Sequence, residues 1–109
     1  MHRNTIYCGT ITKKLLEKEV AFYGWVKTIR KLGSLIFMVV GDRYGSIQVV
    51  VSEKSKFFDT VYHTTVESVV YVKGIVKARK SVNKQIKNGD IEIELKDYEV
   101  DAKADTLPI

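Results

Sequence analysis

The sequence has little of what would indicate a disulfide scaffold, a metal centre or a membrane span. Among its 109 residues, Cys8 is the single cysteine, His2 and His63 are the only histidines, and Pro108 is the single proline. One thiol cannot form an internal disulfide, and no Cys/His spacing indicates zinc. No apolar run approaches the roughly 18 residues of a transmembrane helix, and no signal-peptide pattern begins the chain. We therefore expect a soluble, cytosolic protein without a metal site, in which Cys8 is a small buried residue.

The charge of the chain is compatible with a nucleic-acid partner. Net charge is +5, from 18 Lys and Arg against 13 Asp and Glu. Basic residues cluster before the first predicted turn and again from Lys73 to Lys87, whereas the segment from Asp90 to Glu99 is acidic. A basic surface binds phosphates because it releases their counterions. The sequence shows no phosphate-cradling glycine loop and no nucleophile–base pair, so we expect no catalysis by these residues.

Short turn signals separate segments that are rich in Val, Ile, Tyr and Phe, a composition that favours strands. The turns are predicted at Leu32-Gly33-Ser34, Gly41–Gly45 and Lys87–Asp90. Five strands are predicted, at Glu19–Arg30, Leu35–Gly41, Ser46–Ser52, Val69–Lys80 and Asp90–Val100.

A helix is predicted between the third and fourth strands. Over Glu53–Thr65, apolar side chains at i and i+4 share one face, and Ser52 can cap the start. A weaker helical turn is predicted at Thr12–Lys18. Three strands, a helix and two strands is the order of the all-β, five-stranded Greek-key barrel called the OB fold, although a split β-sandwich or an SH3-like barrel remains an alternative. We assign residues 1–100 to this domain and residues 101–109 to a linker.

The side-chain period of two assigns residues to the two faces of the sheet. If the turns close on Leu32-Gly33 and on Arg43-Tyr44, one face is almost wholly apolar and forms the core. The other face is mixed and includes Arg30, Phe37 and Gln48. The predicted core face contains Trp25, Lys27, Ile29, Ile36, Met38, Val40, Ile47, Val49 and Val51; the mixed face contains Val26, Thr28, Arg30, Leu35, Phe37, Val39, Ser46, Gln48 and Val50.

A mixed strand face of this kind suits single-stranded nucleic acid. An exposed ring such as Phe37 can stack on a base, the amide of Gln48 can donate to and accept from a base edge, and Arg30 can bind phosphate or a base. The alternative from the pattern alone is that Phe37 belongs to the core and that Gln48 is a solvated strand residue. In the last strand, Glu92 faces outward and could accept hydrogen bonds from the amino group of a base.

These residues resemble a known family. The similarity is to the anticodon-binding OB domain of class IIb aminoacyl-tRNA synthetases, which comprise the aspartate, asparagine and lysine enzymes, and three further segments resemble the bacterial aspartate type. The class resemblance rests on Gly24-Trp25-Val26, Arg30, Leu32–Phe37, Asp42-Arg43, Gly45 and Ile47-Gln48-Val49; the aspartate resemblance rests on Tyr7-Cys8-Gly9, Gly89–Glu92 and Ala104–Pro108.

The resemblance implies roles for individual residues. Phe37 would stack on the central anticodon base, a uridine; Gln48 would hydrogen-bond that uridine; Arg30 would line its pocket. Glu92 would contact the first anticodon base, a guanine. Further contacts to the RNA backbone or loop are implied for Thr28, Lys31, Arg79 and Asn83.

The chain also departs from the family pattern. Thr28 and Ile29 replace arginines of an Arg-rich run, Lys31 stands where an acid is common, and Gly41 stands where arginine is common. The basic loop Lys80–Asn88 is about two residues shorter than usual. These differences affect the residues expected to hold the RNA backbone and leave the residues expected to contact bases unchanged.

The resemblance further implies a longer parent protein. Its missing class II catalytic domain would use ATP and Mg²⁺ to attach aspartate to its tRNA, and the parent would be a homodimer; this fragment would bind the tRNA anticodon stem-loop and hold no cofactor. Within the class, the anticodon-binding domain of an asparagine or lysine enzyme is the alternative. Two alternatives from other classes are a free-standing OB protein that binds single strands without sequence preference, and a structural domain that binds no nucleic acid.

Overall fold

The protein is a closed five-stranded barrel in a computed structural model that describes residues 5–79 and 89–102. The strand order around the barrel is β1-β2-β3-β5-β4; β3 and β5 run parallel, and the other neighbouring pairs are antiparallel. This architecture, with one short helix between β3 and β4, confirms the predicted OB fold. The elements are β1 (Glu19–Leu32), β2 (Leu35–Asp42), β3 (Gly45–Ser52), α1 (Phe58–Tyr62), β4 (Val69–Ala78) and β5 (Ile91–Ala102).

Alternating Val and Ile side chains form the core, because successive strand residues point to opposite faces of the sheet. The inward residues predicted for β2, β3 and β5 are all buried. Phe22 of β1 is the largest fully buried side chain and has no exposed surface. The buried core comprises Val20, Phe22, Val26, Ile36, Met38, Val40, Ile47, Val49, Val51, Val61, Val70, Val72, Val76, Ile91, Ile93, Leu95 and Tyr98, with Cys8 and Ile11 from the N-terminal segment.

Two tight turns set the register of β1, β2 and β3. The β2–β3 hairpin closes on Arg43-Tyr44, as predicted, and pairs Val39 with Gln48. The prediction for the β1–β2 turn was wrong, because this turn closes on Gly33-Ser34 rather than on Leu32-Gly33. Gly33 begins that turn with φ of 62°, a conformation that costs glycine nothing because it lacks a Cβ. The resulting shift is two residues, so it preserves which residues of β1 and β2 share a face.

A β-bulge in β1 overturns part of the predicted face assignment. The register with β2 shifts between Val26 and Thr28, so one extra residue, Lys27, lies between the two paired segments. Before the bulge the faces are exchanged relative to the prediction: Val26 is fully buried, and Trp25 is 42% exposed. A bulge reverses the alternation at one point in a strand, which a count of residues from the turn does not detect.

The helix is shorter than predicted. It spans Phe58–Tyr62 rather than Glu53–Thr65, and Ser52 does not cap it. Instead, the Ser52 hydroxyl accepts a hydrogen bond from the Lys54 amide at 3.2 Å, and the Ser55 hydroxyl accepts one from the Phe57 amide at 3.1 Å. These local bonds hold residues 53–57 in turns, because serine hydroxyls compete for the amides that a helix would use. The predicted N-terminal helical turn is a 3-10 turn at Lys13–Leu15.

The segment before β1 packs against the β2–β3 hairpin through Asp42. One carboxylate oxygen of Asp42 accepts from the Cys8 amide at 2.8 Å, and the other accepts from the Tyr44 amide at 2.9 Å. Cys8 is fully buried, as predicted, and burial, with a contribution from Asp42, raises the pKa of its thiol to about 12. No helix within residues 5–79 and 89–102 has the length and apolar character to cross a membrane.

Candidate nucleic-acid interface

One mixed sheet face, named the recognition face, covers part of the outside of the barrel. It is formed by the outer surfaces of the second half of β1, of β2 and β3, and of the first half of β5. Strand register arranges its side chains in two neighbouring rows. The first row consists of Thr28, Val39, Gln48 and Glu92, and the second consists of Arg30, Phe37, Val50 and Glu94.

Phe37 lies in the second row with its ring outside the core. Its neighbours Ile36 and Met38 are fully buried, whereas Phe37 is only partly buried and is absent from the core cluster. Its register partner on β1 is Arg30, which is exposed. Directly paired strand residues lie about 5 Å apart, so the ring and the guanidinium can reach the same ligand.

Gln48 and Glu92 are joined by a hydrogen bond in the first row. The Gln48 Nε2 group donates to Glu92 Oε1 at 3.1 Å, and the two residues are register partners across the parallel β3–β5 pair. Because an ionised carboxylate only accepts hydrogen bonds, this contact fixes which end of the amide points toward Glu92. Among the residues that the structure describes, the Gln48 carbonyl oxygen, one amide proton and the second Glu92 oxygen have no further hydrogen-bond partner and can contact a ligand.

Ion pairs surround the two glutamates of the recognition face. Lys77 of β4 is the register partner of Glu92, but its ammonium bonds Glu17 at 2.7 Å. That hydrogen bond raises the pKa of Lys77, and a 2.8 Å contact with Lys96 lowers the pKa of Glu94. Glu94 is thus engaged by Lys96, whereas Glu92, as far as residues 5–79 and 89–102 show, has one oxygen bonded to Gln48 and a second left for a base.

The remaining predicted contacts are dispersed. Thr28 is exposed on the recognition face, in register with Val39. Lys31 follows Arg30 and therefore projects to the opposite side of β1, where its ammonium lies 4.1 Å from the centre of the Tyr62 ring on α1. Cation–π contacts of this kind hold an ammonium in place. The structure thus does not bring Lys31 together with Arg30 and Phe37.

Arg79 comes directly after β4, at the edge of the first row. Its amide donates to the Asp90 carbonyl at 3.0 Å, and its side chain is partly buried. The whole basic loop Lys80–Asn88, including Asn83, lies outside the described residues. The roles assigned to Thr28, Lys31, Arg79 and Asn83 stay predictions.

Lys27 is a cation on this surface that the residue pattern missed. It was assigned to the core face, but the bulge turns it outward, where it is exposed and lies across Gly41 of β2. A Cβ at Gly41 would be 2.3 Å from Lys27 Cε, so the absence of a side chain at Gly41 makes the room. Within the described residues, Lys27 has no carboxylate partner. A lysine amid apolar strand residues was the available signal that the alternation breaks there.

No group of three or more His, Cys, Asp and Glu residues that could hold a metal ion occurs in the part of the chain that the structure describes. The recognition face presents an aromatic surface, an oriented amide, a carboxylate and cations that pair with no carboxylate in the described ranges. Such a set can stack on a base, hydrogen-bond base edges and neutralise phosphates.

Comparison with known proteins gives consistent matches. Residues 20–101 match the tRNA_anti-codon family, described as an OB-fold nucleic acid binding domain. The chain is 50% identical over 105 residues to "Aspartate--tRNA ligase" of Malacoplasma penetrans; the match covers 96% of this chain but spans 18% of the length of that relative.

Two solved structures share the fold at moderate identity. Asparaginyl-tRNA synthetase from Pyrococcus horikoshii, complexed with asparaginyl-adenylate, is 30% identical with a TM-score of 0.78, covering 93% of this chain and 23% of that one. An OBody, AM3L09, bound to hen egg-white lysozyme, is 26% identical with a TM-score of 0.83, covering 95% of this chain and 100% of that one. With residues 20–101 matched to the family and the barrel in place, the chain belongs to the tRNA_anti-codon family of OB-fold nucleic acid binding domains.

Proposed function

We propose that this chain is the anticodon-binding domain of an aspartate–tRNA ligase and that it selects its tRNA through the recognition face. The observation that carries the proposal is the placement of Arg30, Phe37, Gln48 and Glu92 in two adjacent rows on the outside of the barrel. The 50% identical relative supports the choice of aspartate. The asparagine enzyme is the second candidate, because a solved asparaginyl-tRNA synthetase is 30% identical.

The central anticodon base would be held between Phe37 and Gln48. The two residues are diagonal neighbours on adjacent strands, about 7–8 Å apart, a separation within reach of an aromatic ring and a long amide. A uracil stacked on the ring presents N3–H as a donor and O4 as an acceptor. The Gln48 carbonyl can accept the first, and its remaining amide proton can donate to the second.

The first anticodon base would be bound by Glu92. Guanine presents N–H donors along its pairing edge, and the second oxygen of Glu92, which bonds no described residue, would accept them. Pyrimidines and adenine present fewer N–H donors to a carboxylate. Without such donors, the negative charge of Glu92 would repel the phosphates of the RNA. Arg30, next to Phe37, would bind a phosphate or the edge of the central base.

The parent protein is part of the same proposal. We place a class II catalytic domain after the predicted linker, which starts beyond the end of β5 at Ala102 rather than at residue 101, in a cytoplasmic homodimer that attaches aspartate to its tRNA. ATP and Mg²⁺ would belong to that domain, and no residue of this chain is proposed to hold either.

The test of the proposed function is binding of an anticodon stem-loop RNA with guanosine and uridine at the first two anticodon positions. Phe37→Ala should weaken binding about 5- to 150-fold, equivalent to roughly 1–3 kcal/mol, because one stacked base is lost. Fluorescence anisotropy measures the affinity, and circular dichroism checks that the barrel remains folded.

The matched control is Tyr44→Ala, which removes an exposed ring in the β2–β3 turn, outside the two rows of the recognition face. It should bind the RNA like the unaltered chain. Equal losses for the two variants would mean that aromatic surface in general, rather than the Phe37 position, drives the association.

A further inference from the structure

A groove opens next to the recognition face where strands β3 and β5 separate. Their pairing contains three residue pairs and ends at Val50 and Glu94. Beyond this point the groove has a volume of about 340 Å³. Its lining consists of Val50, Ser52, Lys54, Ser55, Lys56, Phe57, Glu94, Leu95 and Lys96.

The groove carries an excess of positive charge. Lys54, Lys56 and Lys96 line it together with one acid, Glu94. Lys96 already neutralises Glu94 through the 2.8 Å contact, which leaves the charges of Lys54 and Lys56 uncompensated among the lining residues. Both of these side chains are exposed, and neither forms an ion pair within the described part of the chain. The surplus favours an anionic occupant.

The polar and aromatic lining suits a phosphate better than a base. The hydroxyls of Ser52 and Ser55 accept hydrogen bonds from backbone amides, so each retains its own proton to donate. The Phe57 ring, which would otherwise be a stacking surface, packs against the core and has the Lys56 ammonium 5.2 Å from its centre. Cations and hydroxyl donors without an open ring match the backbone of a nucleic acid.

The groove is continuous with the rows that would contact the anticodon. Val50 lines the groove and is the register partner of Phe37, so the two sites share a boundary. Ser52 lies four residues beyond Gln48 on β3, or roughly 13 Å at the rise of a strand. OB folds bind about 4–16 nucleotides of single strand, more than the three bases of an anticodon. A strand crossing the recognition face therefore has nucleotides left to enter the groove.

We propose that this groove binds the sugar–phosphate backbone of RNA nucleotides that flank the anticodon, with Lys54 and Lys56 neutralising phosphates and the hydroxyls of Ser52 and Ser55 donating to phosphate oxygens. The proposal rests on the proposed function, because it takes the bound RNA across the recognition face as its starting point. The groove would be a second site that increases the affinity for RNA without distinguishing one base from another.

The experiment measures the affinity of the anticodon stem-loop RNA as a function of salt concentration for the unaltered chain and for the double variant Lys54→Gln/Lys56→Gln. Each phosphate contact to a single strand contributes about 0.7 to the slope of log K against log salt. The double variant should therefore have a slope smaller by about 1.4, with the preference for uridine at the centre unchanged. Lys54→Arg/Lys56→Arg, which keeps both charges, should restore the original slope.

The off-site control is Lys73→Gln on β4, which removes a lysine outside the groove and the recognition face; its slope should equal that of the unaltered chain. The proposed phosphate site would be wrong if the slope of the double glutamine variant stayed within about 0.3 of the original value. If Phe37→Ala still lost RNA affinity in the same assay, the proposed function would remain supported. If the unaltered chain did not bind the RNA, the proposed function would be wrong, and so would the role proposed for the groove.

Discussion

The recognition face and the rear of this barrel use their outward polar groups differently. The rear face is the outer side of β4 with the first half of β1 and the second half of β5. There the rings of Tyr23 and Tyr71 lie 5.3 Å apart, and Lys73 pairs with Glu19 at 3.4 Å. Tyr71 points outward from its strand and is still only 5% exposed.

The recognition face leaves more of its groups without a protein partner. Within the described residues, Thr28, Arg30 and Lys27 form no hydrogen bond or ion pair through their side chains, and the Phe37 ring is only partly covered. The contrast indicates that the rear side chains stabilise the barrel by contacting one another, whereas those of the recognition face retain hydrogen-bonding and stacking capacity for a ligand. Four further experiments sharpen this comparison.

The largest effect is expected inside the barrel, where the two faces share one core. Phe22→Ala should lower the free energy of unfolding by about 3–5 kcal/mol, because it leaves a cavity at the largest fully buried side chain. Phe37→Ala, the same change on the recognition face, should cost no more than about 1 kcal/mol of stability. Urea denaturation followed by circular dichroism measures both. Similar losses for the two variants would place Phe37 in the core and remove the contrast.

The next effect concerns base contacts. Gln48→Ala should reduce the preference for uridine over the other bases at the central position by about 1–3 kcal/mol, since it deletes the amide that matches the uracil edge. Glu92→Gln should weaken binding of guanosine at the first position, and a double-mutant cycle should show coupling of at least about 0.5 kcal/mol between the two sites. Anisotropy titrations with single-base RNA variants supply the values. Additive losses would show that the 3.1 Å bond has no part in recognition.

A smaller effect is expected from the bulge lysine. Lys27→Gln should lower the salt-dependence slope of RNA binding by about 0.7, because one phosphate contact to a single strand is lost. Lys73→Gln, whose lysine is paired with Glu19 on the rear face, should leave the slope unchanged. If both substitutions change the slope equally, the net charge of the domain rather than the location of its cations governs binding.

The smallest effect at neutral pH is expected from the buried titratable groups. Burial raises the pKa of Cys8 and of Tyr98 to about 12, whereas in an unfolded chain these groups ionise near about 8.5 and 10. Between the unfolded and folded values the unfolded chain has released protons that the native barrel retains, so stability should be constant near pH 7 and fall as the pH rises above about 9. Cys8→Ala should lose less stability than the unaltered chain between pH 8 and 10.5, as measured by denaturant titration. Parallel losses would contradict a buried, protonated thiol.

The fold and most of the recognition face followed from residue pattern because the β2–β3 hairpin is tightly determined. A two-residue turn, held by the Asp42 carboxylate, fixes the pairing, and the alternation of large apolar residues then places Phe37 and Gln48 outward. The order of the elements along the chain was predictable because turn signals and β-branched segments recur at short intervals; the order of the strands around the barrel followed from the OB fold, which has that order of elements.

What the pattern missed depends on contacts between segments. The only local signal of the bulge is a lysine at a position that the alternation assigns to the core, so Trp25 and Val26 were assigned to the wrong faces; the room for the bulged lysine comes from Gly41 on another strand. The short helix reflects hydroxyls of Ser52 and Ser55 that bond nearby amides. The groove requires β3 and β5 to separate, and these strands are far apart in the chain.

The hydrogen bond from Gln48 to Glu92 has a consequence for how such a domain can change its target. Under the proposed function, in which Gln48 and Glu92 contact adjacent anticodon bases, replacing Glu92 with a residue that does not accept would release the amide to rotate and would alter specificity at both nucleotides. Changing the anticodon that such a domain binds would then require coordinated substitutions at both positions.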